Sequence, residues 1–327
     1  MTMKPILRVL AASTAVLALA ACGSGSPSGE AEDTGEAGGG ELTQVTVGVI
    51  PIVDVAPIYL GVQEGFFEEE GLELELQPAQ GGAAIVPAVM SGSMDFGFSN
   101  ISSMLVAKSK GLDVQVVAAG AASTGEDGAD FGGILVNPDA GIETAADLAG
   151  KKVAVNTLNN INDTTVRASV RKAGGDPSGI EFVELAFPDM QAALERGQVD
   201  AIQVVEPFLT GGQNAGSTPI ASNYVDTAED LTVAGYFTTS AKAEDDAETV
   251  EKFTAAMNKS LEYAEENPDA VREVLLTYTK IDAETAKALT LPSFTTEINR
   301  AGVETLAELS LSDGLISEEP KLDELLP

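Results

Sequence analysis

From residue 44 onward, short runs with strand-like alternation are each followed by a stretch with helical spacing, and this happens in two series. Val45, Val47 and Val49 alternate, and after a turn at 51–57 a helix carries Ile58, Tyr59 and Val62. Leu72, Leu74 and Leu76 alternate again, before Gly81-Gly82 opens a helix with Ile85, Val86 and Val89. Phe96 and Phe98 mark a third strand and residues 114–118 a fourth, with a helix at 104–107 between them. The second series has strands at 153–155, 182–185 and 202–205, separated by helices around Val166 and Val170 and at 190–196. Such alternation predicts an α/β fold whose sheet is largely parallel.

The two series share a short echo. Residues 83–98 and 191–204 both read as helix, then Gly-x-x-Asp, then strand, with Gly92 and Asp95 in one and Gly197 and Asp200 in the other. This suggests two related lobes, although a glycine closing a helix is common in any such turn. The last third is helical: Val250, Phe253, Met257, Leu261 and Ala264 share one face. Asn267-Pro268 reads as a cap with proline in the first turn of the next helix. Residues 231–239 read as a strand that returns the chain to the first lobe.

The start of the chain reads differently. Lys4 and Arg8 precede an apolar stretch that ends on Leu19-Ala20-Ala21-Cys22. The run is short and ends on small residues, which fits a cleaved signal segment (1–21) rather than a membrane anchor. It resembles the lipobox of bacterial lipoproteins, in which the cysteine takes a lipid; that implies lipidation at Cys22. Residues 23–41 carry no large apolar side chain, and with Cys22 they are expected to form a flexible tether, 22–41.

Composition removes several function classes. With 18 basic and 51 acidic residues the net charge is −33, which disfavours nucleic acid as a partner. There is no histidine, which excludes a Ser-His-Asp triad and histidine-ligated metal. Cys22 is the only cysteine, so no thiol nucleophile remains once it is an anchor. Phosphate-loop and dinucleotide-binding glycine patterns are missing. No catalytic residue, metal or cofactor is therefore expected. The enzyme alternative is acid/base work by Asp54 paired with Glu206 or Asp163.

The turns that follow the strands are rich in Ser, Asn, Thr and Gly and contain no Lys or Arg. In open α/β sheets, ligands bind beyond the carboxyl ends of strands, where helix N-termini offer free N–H groups. Each residue there also has a purely local role open to it. Asp163 and Asp189 would serve as N-caps, Ser99 and Asn100 as turn formers, Gly81-Gly82 as a tight turn, and Tyr59 and Phe208 as packing. Glu206, at the end of an apolar strand, needs a partner or solvent.

Residues 45–76 (VTVGVIPIVDVAPIYLGVQEGFFEEEGLELEL) resemble the start of the solute-binding proteins of ABC importers for nitrate, sulfonates, taurine and thiamine-precursor pyrimidines. Gly81-Gly82, FGFSN after Asp95, DLAGKKVAVN at 147–156, ALERGQVDA at 193–201, Glu206-Pro207 and YAEENPDA at 263–270 follow in the same order. The resemblance spans about 44–320 and implies a two-lobed periplasmic-binding-protein-like fold with the ligand between the lobes. Lobe one would comprise 42–137 plus 232–327, including the C-terminal helices, and lobe two 138–231. Asp54, Val55, Gly82, Ser99 and Asn100 would face the cleft from lobe one; Thr157, Asn160, Asp163 and Glu206 would face it from lobe two. Tyr59, Phe98, Phe131, Phe187 and Phe208 are available for stacking, in a chain without tryptophan.

Partners implied are a small solute, the transmembrane subunits of an ABC permease, and the membrane through the lipid, with the protein a monomer on the outer face of the bacterial cytoplasmic membrane. Acid-rich turns favour an amine-bearing ligand such as a pyrimidine or thiamine precursor. A small anion (an alkanesulfonate, taurine or nitrate) is the alternative, and a non-transport surface or sensor protein is the alternative of another class.

Overall fold

The computed structural model describes residues 42–327; the signal segment, Cys22 and the tether expected at 1–41 lie outside the described residues. The first series folds as β1 (Thr43–Val49), α1 (Ala56–Gln63), α2 (Phe66–Glu69), β2 (Leu72–Pro78), α3 (Gly82–Met90), β3 (Phe96–Asn100), α4 (Ile101–Ser109) and β4 (Val114–Ala122). The second folds as β5 (Gly132–Val136), β6 (Lys152–Val155), α5 (Ile161–Lys172), β7 (Glu181–Glu184), α6 (Phe187–Glu195), β8 (Ala201–Val205), α7 (Phe208–Asn214), β9 (Thr218–Ala221) and α8 (Asn223–Thr227). The chain then returns through β10 (Thr232–Thr239) to α9 (Ser240–Asp245), α10 (Ala247–Glu266), α11 (Pro268–Tyr278), α12 (Ala283–Ala288), α13 (Arg300–Ser312) and α14 (Leu322–Leu325).

Two five-stranded sheets result, ordered β2-β1-β3-β10-β4 and β7-β6-β8-β5-β9. In the first, β1 runs parallel to β2 and β3, while β10 is antiparallel to both β3 and β4. In the second, β6 runs parallel to β7 and β8, and β5 is antiparallel to β8 and β9. The fold is therefore α/β with mixed sheets, and β10 does return to the first sheet. β5, which the expected lobe boundary at 137 grouped with the first lobe, hydrogen-bonds into the second sheet.

The two sheets have the same plan. Each has two parallel strands, a third strand beside the first, and then an antiparallel strand supplied by the other end of a crossover. The echo seen in sequence is the joint of that plan. Gly92 and Gly197 end α3 and α6 with φ of 72° and 65°, a left-handed conformation that suits glycine. The Asp95 N–H then donates to Thr46 O, and its carboxylate accepts the Thr46 N–H at 2.9 Å. Asp200 makes the same pair of contacts with Lys152, its carboxylate at 2.8 Å. The aspartate thus locks the third strand to the first in both halves.

Alternation decides which faces are buried. Val45, Val47 and Val49 are buried in β1, and on edge strand β2 Glu73 and Glu75 point to solvent while Leu72 is buried. The C-terminal helix α10 lays Phe253, Met257, Leu261 and Ala264 on the first half. Its Phe253 ring stacks on Phe96 at 4.0 Å between centroids. Asn267 precedes Pro268 as expected, but its side chain donates back to Tyr263 O instead of capping α11. Among the described residues no helix is long and apolar enough to cross a membrane.

Candidate functional site

Because β4 runs with β1, β2 and β3, the turns after these four strands share one edge of the first sheet. The turns after β6, β7 and β8 share the corresponding edge of the second. These edges meet. A small cavity of ≈ 110 Å³ is lined by Ile50, Ile52 and Gln80 on one side and by Phe187, Pro188 and Phe208 on the other. The Phe187 and Phe208 rings stack with centroids 5.4 Å apart. Val53 N–H donates across to Glu206 O at 3.1 Å, and Glu206 N–H donates to Phe131 O at 2.9 Å. At the rim, a Cβ added to Gly81 would fall 2.7 Å from Thr157 Oγ1, so the halves touch there.

The nine residues expected to face the cleft all lie on strand ends or on the turns and helix starts that follow, but their side chains do different things. Val55 is fully buried on the short 3-10 turn between β1 and α1. Asn100 caps α4, accepting the Ser103 N–H at 2.8 Å. Asn160 caps α5 through the Asn162 N–H, and Asp163 completes a reciprocal capping box by accepting from Asn159 N–H and Asn160 N–H. Thr157 is half-buried at the rim facing Gly81. Gly82 opens α3, where a Cβ would sit 2.1 Å from Ser99 Oγ.

Glu206, before a cis bond to Pro207, is fully engaged. Its Oε1 accepts the Thr210 hydroxyl at 2.6 Å and the Thr290 N–H at 3.2 Å, and its Oε2 accepts the Thr210 N–H at 3.0 Å. Asp130, in the crossover before β5, accepts from Ser123 Oγ, Thr124 N–H and Phe131 N–H. Burial raises the pKa of Asp163, Glu206 and Asp130, and these donors offset part of the rise.

Asp54 is the exception. It is 2% exposed, and its Oδ1 has no hydrogen-bond partner. Burial raises its pKa from 3.8 to about 7; its own backbone N–H opposes this and the Asp130 charge adds to it. None of the ion pairs among the described residues involves Asp54 or Asp130. Ser99 Oγ is also buried and unpartnered, as is the Tyr236 hydroxyl on β10.

The importance of Asp130, Tyr236 and Tyr278 is not apparent from the sequence. Tyr278, on α11, stacks on Tyr59 at 3.9 Å and donates its hydroxyl to Ile52 O at 2.9 Å. Its only sequence signal is a place on an amphipathic helix. Among the described residues no group of three or more acidic or cysteine side chains is arranged to hold a metal. What the cavity and its rim offer chemically is hydroxyls, helix starts and two stacked phenyl rings, with the free acceptor oxygen of Asp54 buried two residues beyond Ile52.

Comparisons with known proteins agree with this architecture. A protein of Bacillus subtilis named for binding aliphatic sulfonates is 24% identical over 277 residues, covering 83% of this chain and 77% of that one. The formylaminopyrimidine-binding protein of Halalkalibacterium halodurans is 24% identical, covering 67% of this chain and 65% of its own length. The periplasmic nitrate-binding protein of Synechocystis superposes with a TM-score of 0.73 at 12% identity, covering 88% of this chain and 86% of that one. The model of the NMT1/THI5-like family matches residues 52–271, and this chain belongs to that family.

Proposed function

We propose that this chain is the extracytoplasmic solute-binding component of an ABC importer: it captures a small organic solute between two lobes and hands it to a membrane permease. The supporting observation is the pairing of two sheets of the same plan, their strand ends lining one cavity from opposite sides, in a chain of this family. Relatives named as an ABC transporter periplasmic binding protein and as a taurine-binding periplasmic protein support the same assignment. The cavity is below the ~300–1,000 Å³ of ordinary ligand pockets, so the lobes must part to admit solute. Ligand then favours closure because it contacts both lobes only when they meet.

On this reading the protein acts by binding and release, not turnover. Lobe two runs between the crossovers at about 123–131 and 222–231. The nine rim residues from Asp54 to Glu206 build the cleft, some by direct contact and others, such as Asp163, by setting helix ends. The segment 1–21 is removed on export, and Cys22 carries the lipid that holds the protein, as a monomer, at the outer face of the membrane. The ligand is an amine-bearing solute such as a pyrimidine. Small anions form the second reading, favoured by the relatives named for sulfonates and taurine.

Mass spectrometry of solute released from the purified protein, with a thermal-shift panel of pyrimidines, alkanesulfonates, taurine and nitrate, tests this. A pyrimidine that raises the melting temperature supports the first reading, and an anion alone supports the second. If nothing is released and no solute shifts melting, solute capture is wrong.

A further inference from the structure

We propose that Asp54 is the seat of a protonated ligand nitrogen, so that the cleft selects organic cations and rejects the anions for which several relatives are named. This rests on the solute-capture reading and specifies what that site accepts.

The other buried carboxylates are already engaged within the fold. Asp163 caps α5, Glu206 holds Thr210 and Thr290, and Asp130 holds Ser123, Thr124 and Phe131. Asp54 Oδ1 is the one carboxylate oxygen among the described residues that is buried without a partner. A buried unpaired charge is costly to the folded state and persists where it serves a ligand. Its position fits that use. Asp54 follows Val53, whose N–H bridges the halves to Glu206 O, and Ile52, which lines the small cavity with Phe187 and Phe208. Asp130 lies near enough to add negative potential, and no lysine or arginine ion-pairs with either carboxylate among the described residues.

The charged and titratable groups around Asp54 are Asp130 from the crossover, Tyr224 from α8, Tyr236 from β10 and Tyr278 from α11. The tyrosine pKa values are pushed far up by burial and further by these neighbours, so the tyrosines stay neutral and offer no compensating charge. A cation that reaches Asp54 meets an acceptor oxygen without a partner. An anion meets two carboxylates.

Three probes that share one ring separate charge from shape: benzylamine, benzyl alcohol and benzenesulfonate, titrated calorimetrically into the mature protein. Benzylamine should bind at least roughly tenfold more tightly than the other two. Its affinity should fall from pH 8 to pH 6 as Asp54 takes up a proton. Asp54→Asn should weaken benzylamine roughly ten- to hundredfold, remove the pH dependence, and raise the melting temperature of the ligand-free protein. A higher melting temperature with lost binding is a signature that a structural carboxylate does not give. The proposal is overturned if benzenesulfonate is preferred, if benzylamine does not bind, or if Asp54→Asn binds benzylamine as the wild type does. In each case a solute retained by the purified protein leaves capture itself standing.

Discussion

Asp54 makes the ligand-free protein sensitive to pH in an unusual direction. Its folded pKa of about 7 lies above the ordinary 3.8, so the folded state holds a proton that the unfolded state has released between those values. Stability is therefore greatest on the acid side of this window and declines as pH rises through it, by up to roughly 4 kcal/mol for this group alone. Urea unfolding at pH 5 and pH 8 should show a lower midpoint at pH 8, and Asp54→Asn should shrink the difference. A second residue-scale expectation concerns Gly81. Its φ of 179° suits any residue, so only the approach of Thr157 makes a side chain unwelcome. Gly81→Ala should leave the unfolding midpoint of the ligand-free protein nearly unchanged and weaken solute affinity severalfold, read by titration. A large loss of stability would mean the contact belongs to the resting fold and not to closure.

At the scale of elements, the twin aspartate joints carry a matched prediction. Asp95→Ala and Asp200→Ala each leave a backbone N–H of the neighbouring strand unpaired, which costs about 1–3 kcal/mol; chemical unfolding of the two variants measures it. Asp95 also pairs with Lys242 at 2.9 Å, so its removal should cost no less than that of Asp200. The glycines and aspartates of these joints were legible in the sequence as an echo. The partners were not, because Thr46 and Lys152 lie 49 and 48 residues away and only the folded sheet brings them close. The alternating strands were legible for the same reason that they are buried: Val45, Val47 and Val49 repeat with the pleat. Strands β5 and β9 were not. Gly132 weakens the reading of β5, yet it is required because the Tyr224 ring would lie 2.3 Å from any Cβ there, and Pro219 obscures β9, an edge strand where proline is tolerated. The candidate site was legible as a set of turns, and Asp163 was readable as a cap, although the N-cap itself is Asn160 with Asp163 as its partner in the box, and Asp189, also read as an N-cap, does not cap α6. That Asp54 alone among the buried carboxylates keeps an oxygen without a partner depends on donors from distant segments.

For the whole molecule, the lipidation proposed at Cys22 carries a prediction about location. Cys22→Ser should abolish incorporation of labelled palmitate and move the protein from the membrane fraction to the soluble extracytoplasmic fraction, with solute affinity unchanged. Retention in the membrane fraction would point to another anchor. The sheet order has a further consequence for how the chain is made. β5 through β9 are contiguous, so the second sheet has all its strands once residue 221 is available. The first sheet does not: β3 and β4 are joined only through β10, which arrives at residue 232. A chain emerging from its amino end therefore carries a half-built sheet with two open edges while the later half completes itself. Any factor that shields exposed strand edges would act on β3 and β4, and the arrival of β10 would end the need for it.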